Sequence, residues 1–171
     1  MLLGAGHRSN KAAHNQDRDS RRFLLVMVVI GLFIGYSLDK IVNITEISFD
    51  HEVIFWTGIF LIYAGMAFRY YAAKVLGLYF TKSVKTVPEQ RIIESGPYRF
   101  IRHPSYSGAL LTLLGFALAA TNWLSMIIIL VFTFIAYGYR IYVEEKVLLE
   151  QFGDRYREYM KRTKRLIPFI F

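Results

Sequence analysis

Apolar residues in this chain fall in long unbroken runs, with neither strict alternation nor a narrow helical stripe. The first run covers Phe23 to Leu38 and is interrupted only by Gly31, Gly35, Tyr36 and Ser37. A second runs from about Val53 to Ala73, with Gly58 and Gly65 inside it and Arg69 near its end among Phe68, Tyr70 and Tyr71. A third runs from Pro104 to about Ala120. Thr121 and Asn122 then make a turn, and a fourth starts near Trp123 and passes Ile141 into Glu144, Glu145 and Leu149. Run length separates membrane spans from buried core helices. The pattern therefore predicts an all-α integral membrane protein with about four transmembrane helices, near 23–38, 53–73, 104–120 and 123–143. The first run is slightly short for a hydrocarbon core of about 30 Å. Arg21 and Arg22 at one end and Asp39 and Lys40 at the other can snorkel to close the gap.

The stretches between the runs differ in kind. Residues 1–20 are polar and aperiodic and read as a mobile tail; residues 21–171 read as one membrane domain. The tail is not a secretory signal, because the apolar run follows it with no small-residue cleavage site. Residues 74–103 form a basic connector carrying Lys74, Lys82, Lys85, Arg91, Arg99 and Arg102, with turn signals at Pro88, Gly96 and Pro97. A connector of that length is expected to be functional. Gly153 after Phe152 suits a helix C-cap. The segment from Tyr156 to Phe171 is basic, then aromatic, and reads as interfacial. Gly31 and Gly35 form a G-x-x-x-G pair, read either as a close-packing face or as ordinary membrane-helix glycine.

Composition sharpens this picture at two points. The chain is 54% hydrophobic with a mean hydropathy of +0.33, and carries a net charge of +8. In a soluble domain that charge would suggest nucleic acid. Beside membrane spans it serves lipid contact and topology, and no nucleic-acid partner is expected. Arg8, Lys11, Arg18, Arg21 and Arg22 precede the first span, the 39–52 loop holds one lysine, and the connector and C-terminal tail are basic. This asymmetry puts both termini and the connector in the cytosol. Cysteine is absent, which excludes disulfides, thiolate metal sites and a cysteine nucleophile. His7, His14 and His51 are scattered, and no metal site is expected.

Candidate chemistry gathers at the ends of the third and fourth runs. Pro104 to Thr121 rises about 26 Å, and Asn122 to Arg140 about 27 Å. A hairpin thus returns Arg140 to the level of Pro104, with Glu144 one turn further out on the face of Arg140 and Tyr137. Arg102, His103, Tyr106, Arg140 and Glu144 can share one pocket if the two helices are antiparallel neighbours. Pro104 suits the first helical position, and the free N–H groups there favour a carboxylate or phosphate. Glu144 and Glu145 suit hydroxyls, an ammonium or a cationic ligand. S-adenosylmethionine combines a carboxylate, positive charge, a ribose diol and an adenine that Tyr98 or Tyr106 could cover. The plainer readings are an i,i+4 ion pair for Arg140–Glu144, an interfacial cap for His103, and lipid-head contacts for the flanking basic residues. Adjacent helix positions diverge by about 100°, so which of Glu144 and Glu145 faces the pocket stays open.

The motifs Leu76-Gly77-x-Tyr79-Phe80-Thr81, Ser95-Gly96-Pro97-Tyr98 and Arg102-His103-Pro104-x-Tyr106-x-Gly108 occur in that order. Arg140-x-x-x-Glu144-Glu145, Phe152-Gly153-x-x-Tyr156-x-x-Tyr159 and Arg165-Leu166-Ile167-Pro168 follow. Together they resemble the isoprenylcysteine carboxyl methyltransferase family and its prokaryotic relatives, with a layout shared by phospholipid N-methyltransferases. The resemblance covers about residues 76–171; the first two spans match by hydropathy alone. It implies S-adenosylmethionine binding by Gln90, Arg91, Ile92, Ile93, Tyr98, Arg102, His103, Pro104, Ser105, Tyr106, Glu144 and Glu145. It further implies that Arg140 faces the acceptor carboxylate, that Glu144 acts beside it, and that a lipid tail enters from the bilayer between helices. Four spans is fewer than many members have.

The expected reaction is in-line transfer of methyl from sulfonium to a carboxylate oxygen of a lipid-like or prenylated acceptor. That nucleophile is ionised at neutral pH and needs no base, so positioning and a dry site would carry catalysis. A guanidinium matches the two oxygens of a carboxylate. N-methylation of an aminophospholipid is the alternative within the same chemistry, and would require Glu144, Glu145 or His103 as base. A non-catalytic membrane scaffold with a basic lipid-binding surface is the alternative outside enzymology. A nicotinamide-dependent membrane reductase is weaker still, since no glycine-rich dinucleotide fingerprint is present.

Overall fold

The computed structural model describes residues 3–41, 50–77 and 92–168, with side chains of the first helix described over 16–37. Five α-helices and a short 3₁₀ turn make up the described chain. Helix α1 is Leu3–Ile41, α2 is His51–Leu76, the 3₁₀ turn is Gly96–Arg99, α3 is Pro104–Ala119, α4 is Trp123–Phe152 and α5 is Asp154–Arg162. No strand is present among the described residues, and one isolated bridge joins Ile101 and Lys164.

Local chemistry sets the boundaries. The Asp50 carboxylate accepts from the Glu52 N–H at 3.2 Å and starts α2. Gly77, with φ of 55°, ends it. Pro104 occupies the first turn of α3, where its missing N–H costs nothing. Thr121 takes a positive φ of 53° in the turn, and Asn122 caps α4 by accepting from the Ser125 N–H at 3.1 Å. Gly153, again with φ of 55°, ends α4 and allows α5 to turn off at once.

Residues from α1, α2 and α4 form three helices long and apolar enough to cross a membrane, at Gln16–Ser37, His51–Leu76 and Trp123–Phe152. Helix α3 is apolar but has only 16 residues, about 24 Å of rise. The expected third span is therefore the short member of the bundle. Large apolar side chains point outward on all the long helices, among them Phe33, Phe60, Tyr63 and Phe134. In water such a surface would be untenable; in a bilayer it is the lipid-facing skin.

The helices pack in two close pairs, α2 with α3 and α1 with α4. Glycine makes both possible. A Cβ on Gly58 would meet Gly115 O at 2.6 Å, and one on Gly65 would meet Gly108 O at 2.6 Å. The four glycines thus face each other in antiparallel register, two turns apart, and the α2 and α3 backbones touch. On the other pair, a Cβ on Gly31 would lie 2.7 Å from Phe132 Cβ, and one on Gly35 2.9 Å from Ile129 Cγ1. Ser125 Oγ donates to Gly35 O at 2.7 Å across this seam. The G-x-x-x-G pair of the first span is accordingly a packing face.

One expectation changes here. Residues 1–20 were expected to be a tail, with the first helix beginning near Phe23; instead the helix begins at Leu3, and Asp17 and Ser20 are buried. The reason lies on the far side of the contact, where α4 presents Arg140. The C-terminal segment is two-faced, as an interfacial element should be. Tyr156 and Tyr159 on α5 are buried against the protein, while Arg155, Arg157, Glu158 and Lys161 face outward.

Candidate active site

The loop before α3 is held by the C-terminal segment that follows α5. Arg102 N donates to Lys164 O at 2.8 Å, His103 N to Arg165 O at 3.0 Å, and Lys164 N to Phe100 O at 3.0 Å. Ser107 Oγ adds a bond to Leu166 O at 2.6 Å. The Arg165-Leu166 part of the final motif thus fixes the backbone that carries His103.

Two adjacent glutamates leave α4 in different directions. Glu145 is buried and ties this loop to the C-terminal segment. Arg102 Nε donates to its Oε1 at 2.8 Å and Arg165 Nε to its Oε2 at 3.1 Å. The Arg102 guanidinium also reaches Met160 O at 3.1 Å and Thr163 O at 2.5 Å, so one cation closes the loop, α4 and the α5 end together. Glu144, with 22% of its side chain exposed, faces the other way. Its Oε2 accepts from Tyr106 Oη at 2.5 Å and lies 3.9 Å from Arg140 Nε.

Arg140 is the centre of the second group. Its Nε donates to Tyr106 Oη at 3.1 Å, and its Nη1 reaches Asp17 Oδ1 at 2.6 Å, Ser20 Oγ at 2.7 Å and Asp17 O at 3.1 Å. Tyr106 is gripped by its ring as well as its hydroxyl. It stacks on His103 at 5.5 Å between centroids and meets Tyr137 edge-on at 5.4 Å. The antiparallel hairpin of α3 and α4 therefore brings His103, Tyr106, Tyr137, Arg140 and Glu144 to one level. Arg102 shares that level but points into the Glu145 cluster.

The remaining expected residues flank this level. Tyr98 is buried, and its carbonyl accepts from Tyr159 Oη at 2.7 Å. Burial first, and then the charge of Glu144, push the Tyr98 phenol well above its ordinary value. Burial dominates likewise in raising Tyr156 and Tyr159. Pro104 and Ser105 are buried in the first turn of α3, and Ile92 and Ile93 are half-buried ahead of the 3₁₀ turn. Gln90 and Arg91 lie outside the described residues, as do Tyr79, Phe80 and Thr81.

Two buried polar atoms lack a hydrogen-bond partner among the described residues near these glutamates, His103 Nε2 and Tyr156 Oη. His103 Nε2 lies 3.5 Å from Glu145 Oε1, too far for a normal bond. Glu144 and Glu145 are both close enough to Tyr156 to raise its pKa. Buried polar atoms without partners cost free energy, so their position near the partly exposed Glu144 suits a polar ligand. Such a ligand with a carboxylate or hydroxyls and a positive charge would satisfy the donors and match Glu144. Among the described residues no cluster of metal-ligating side chains occurs.

Asp17 and Ser20 are the site residues that the sequence reading missed. A signal was present: positions 17, 20, 24, 28, 31 and 35 follow helical i+3 and i+4 steps, so the two polar residues continue the stripe of Gly31 and Gly35.

Residues 56–150 match the model of the isoprenylcysteine carboxyl methyltransferase (ICMT) family, a match spanning α2 to the end of α4 and including the whole Arg140–Tyr106–Glu144 group. The chain belongs to that family. Its three long apolar helices fit an integral membrane protein. Similar proteins include protein-S-isoprenylcysteine O-methyltransferase B of Arabidopsis thaliana, 29% identical over 79% of this chain and 74% of the relative. The protein-S-isoprenylcysteine O-methyltransferase of Saccharomyces cerevisiae is 36% identical over 66% of this chain and 48% of its own length. That of Schizosaccharomyces pombe is 28% identical over 80% of this chain and 61% of its own length. The chain thus spans between about half and three quarters of the length of these three relatives.

Proposed function

We infer that this ICMT-family protein transfers methyl from S-adenosylmethionine to the carboxylate of a prenylated or similarly lipidic cysteine. The observation that carries the reading is the Arg140–Tyr106–Glu144 chain, with His103 stacked on Tyr106 and the buried Tyr156 Oη without a hydrogen-bond partner among the described residues. The family and the printed activity of the relatives supply the substrate class.

S-adenosylmethionine supplies an electrophilic methyl on a sulfonium when bound. Tyr98, His103, Tyr106, Tyr156 and Glu144 are the residues suited to hold it. Glu144 offers a partly exposed carboxylate to positive charge or a diol. His103 Nε2 and Tyr156 Oη make no hydrogen bond among the described residues and are suited to a ligand's polar atoms. Glu145, with both oxygens on arginines, holds the loop that carries His103. Arg140 would neutralise and align the acceptor carboxylate, which is ionised near neutral pH and needs no general base. No residue of the site has to take a proton from it. The lipid tail of the acceptor would lie along the exposed apolar helix surfaces. Basic residues in the connector and the C-terminal segment support a cytosolic site and cytosolic termini.

Calorimetry of S-adenosylmethionine with detergent-purified protein, followed by methyl transfer to a farnesylated cysteine in vesicles, tests the reading. Saturable binding that is lost in His103→Ala and Glu144→Ala, with methyl ester formed by the wild type, is the expected result. A folded wild-type protein that neither binds S-adenosylmethionine nor forms ester would overturn it.

A further inference from the structure

A guanidinium grips a carboxylate through either of two edges, Nε with Nη2 or Nη1 with Nη2. In Arg140 each edge has one nitrogen already committed. Nε is on Tyr106 Oη at 3.1 Å, and Nη1 is on Asp17 Oδ1 at 2.6 Å and Ser20 Oγ at 2.7 Å. An incoming carboxylate must therefore displace one of the two. Tyr106 is fixed by Glu144, by stacking on His103 and by the edge contact with Tyr137. Asp17 presents the same functional group that the acceptor would bring. Its side chain is 1% exposed, so water offers it little competition in this position.

Resting on the acceptor-carboxylate reading above, we propose that Asp17 is a specificity-determining residue, an internal carboxylate that occupies Arg140 until the acceptor's carboxylate replaces it. The exchange swaps one Arg–carboxylate pair for another, and the acceptor must also offset the cost of leaving the Asp17 carboxylate without Arg140. What tips it is the part of the acceptor that Asp17 lacks, its apolar tail. Short-chain carboxylates, which gain no such burial, are refused. A site whose competent form is only fractionally populated binds with an affinity reduced by that fraction. An Asp17 contact filled for about 90% of the time lowers acceptor affinity about tenfold.

Asp17→Asn keeps the shape and removes the competing charge. Dissociation constants are measured by calorimetry for S-farnesylcysteine and for its methyl ester, each with S-adenosylhomocysteine present. The acid binds Asp17→Asn about tenfold more tightly than wild type, whereas the ester, which carries no anion, binds both alike. A short-chain thioether acid of the same head group becomes a detectable ligand of the variant. Should Asp17→Asn fail to give folded protein by its melting curve, Asp17→Ser carries the same comparison. Unchanged or weaker binding of the acid by a folded variant overturns the proposal, weaker binding meaning that Asp17 serves to hold Arg140 in place. A wild type that binds and methylates the acid alongside such a variant leaves the acceptor reading intact. A wild type that binds neither acid nor ester and transfers no methyl overturns both.

Discussion

The neighbours Glu144 and Glu145 should fail in opposite ways, and the structure gives the size of the difference. Glu145→Ala removes the counter-charge of Arg102, whose side chain is 8% exposed. Breaking a buried ion pair by deleting one partner costs about 3–5 kcal/mol, because the other charge is left uncompensated. Arg102 keeps two carbonyl acceptors, Met160 O and Thr163 O, which places the loss near the lower end, about 3 kcal/mol. Arg165 adds little, since its side chain is 41% exposed and screened by solvent. A loss of that size corresponds to a fall in Tm of about 6–12 °C for a chain of this length. Glu144→Ala deletes a partly exposed carboxylate whose main bond is to the Tyr106 hydroxyl, and Arg140 retains Asp17. Its cost is about 1 kcal/mol, a few degrees in Tm. The assay is a thermal melt of detergent-purified variants paired with S-adenosylmethionine calorimetry. Glu145→Ala melts early, and Glu144→Ala melts near wild type with cofactor affinity lost. A Glu145→Ala variant as stable as wild type, or a Glu144→Ala variant that is the less stable of the two, would refute the division of roles.

Tyr106→Phe removes the hydroxyl that joins Arg140 to Glu144; turnover falls by about tenfold or more while folding survives, read as kcat alongside a melting curve. Gly115→Ala drives a methyl toward Gly58 O at 2.5 Å and Ile62 N at 2.7 Å, so the α2–α3 pair must part at a cost of about 1–3 kcal/mol. A melt shows the loss, and wild-type stability would contradict the backbone contact. Arg140→Ala should abolish methyl transfer while S-adenosylmethionine still binds; parallel loss of cofactor affinity would mean that Arg140 belongs to the cofactor subsite. The pH–rate profile should be flat from about pH 6 to 9, since the acceptor carboxylate ionises near 3.5. Tyr98, Tyr156 and Tyr159 do not bend it, because burial raises their phenols and keeps them neutral throughout that range. A profile rising with pH would point to an amine nucleophile and so to N-methylation.

The amino-acid sequence by itself determined the helical, membrane-embedded class, the turn at Thr121-Asn122, the caps at Pro104 and Gly153, and the meeting of Tyr106, Arg140 and Glu144. The last was legible because the rise from Pro104 to the two-residue turn nearly equals the rise from that turn to Arg140, which returns Arg140 to the level of Pro104. Tertiary structure alone decided three things. It set Glu144 toward Tyr106 and Glu145 toward Arg102, a choice that depends on the roll of α4 against its neighbours. It paired α2 with α3 and α1 with α4, which hydropathy cannot specify where lipid tails and helix faces are equally apolar and only close backbone approach selects a partner. And it carried α1 past the expected start at Phe23, so that Asp17 and Ser20 reach Arg140. Those two residues look like tail when read in order, because their polarity becomes favourable only against a buried guanidinium more than a hundred positions away.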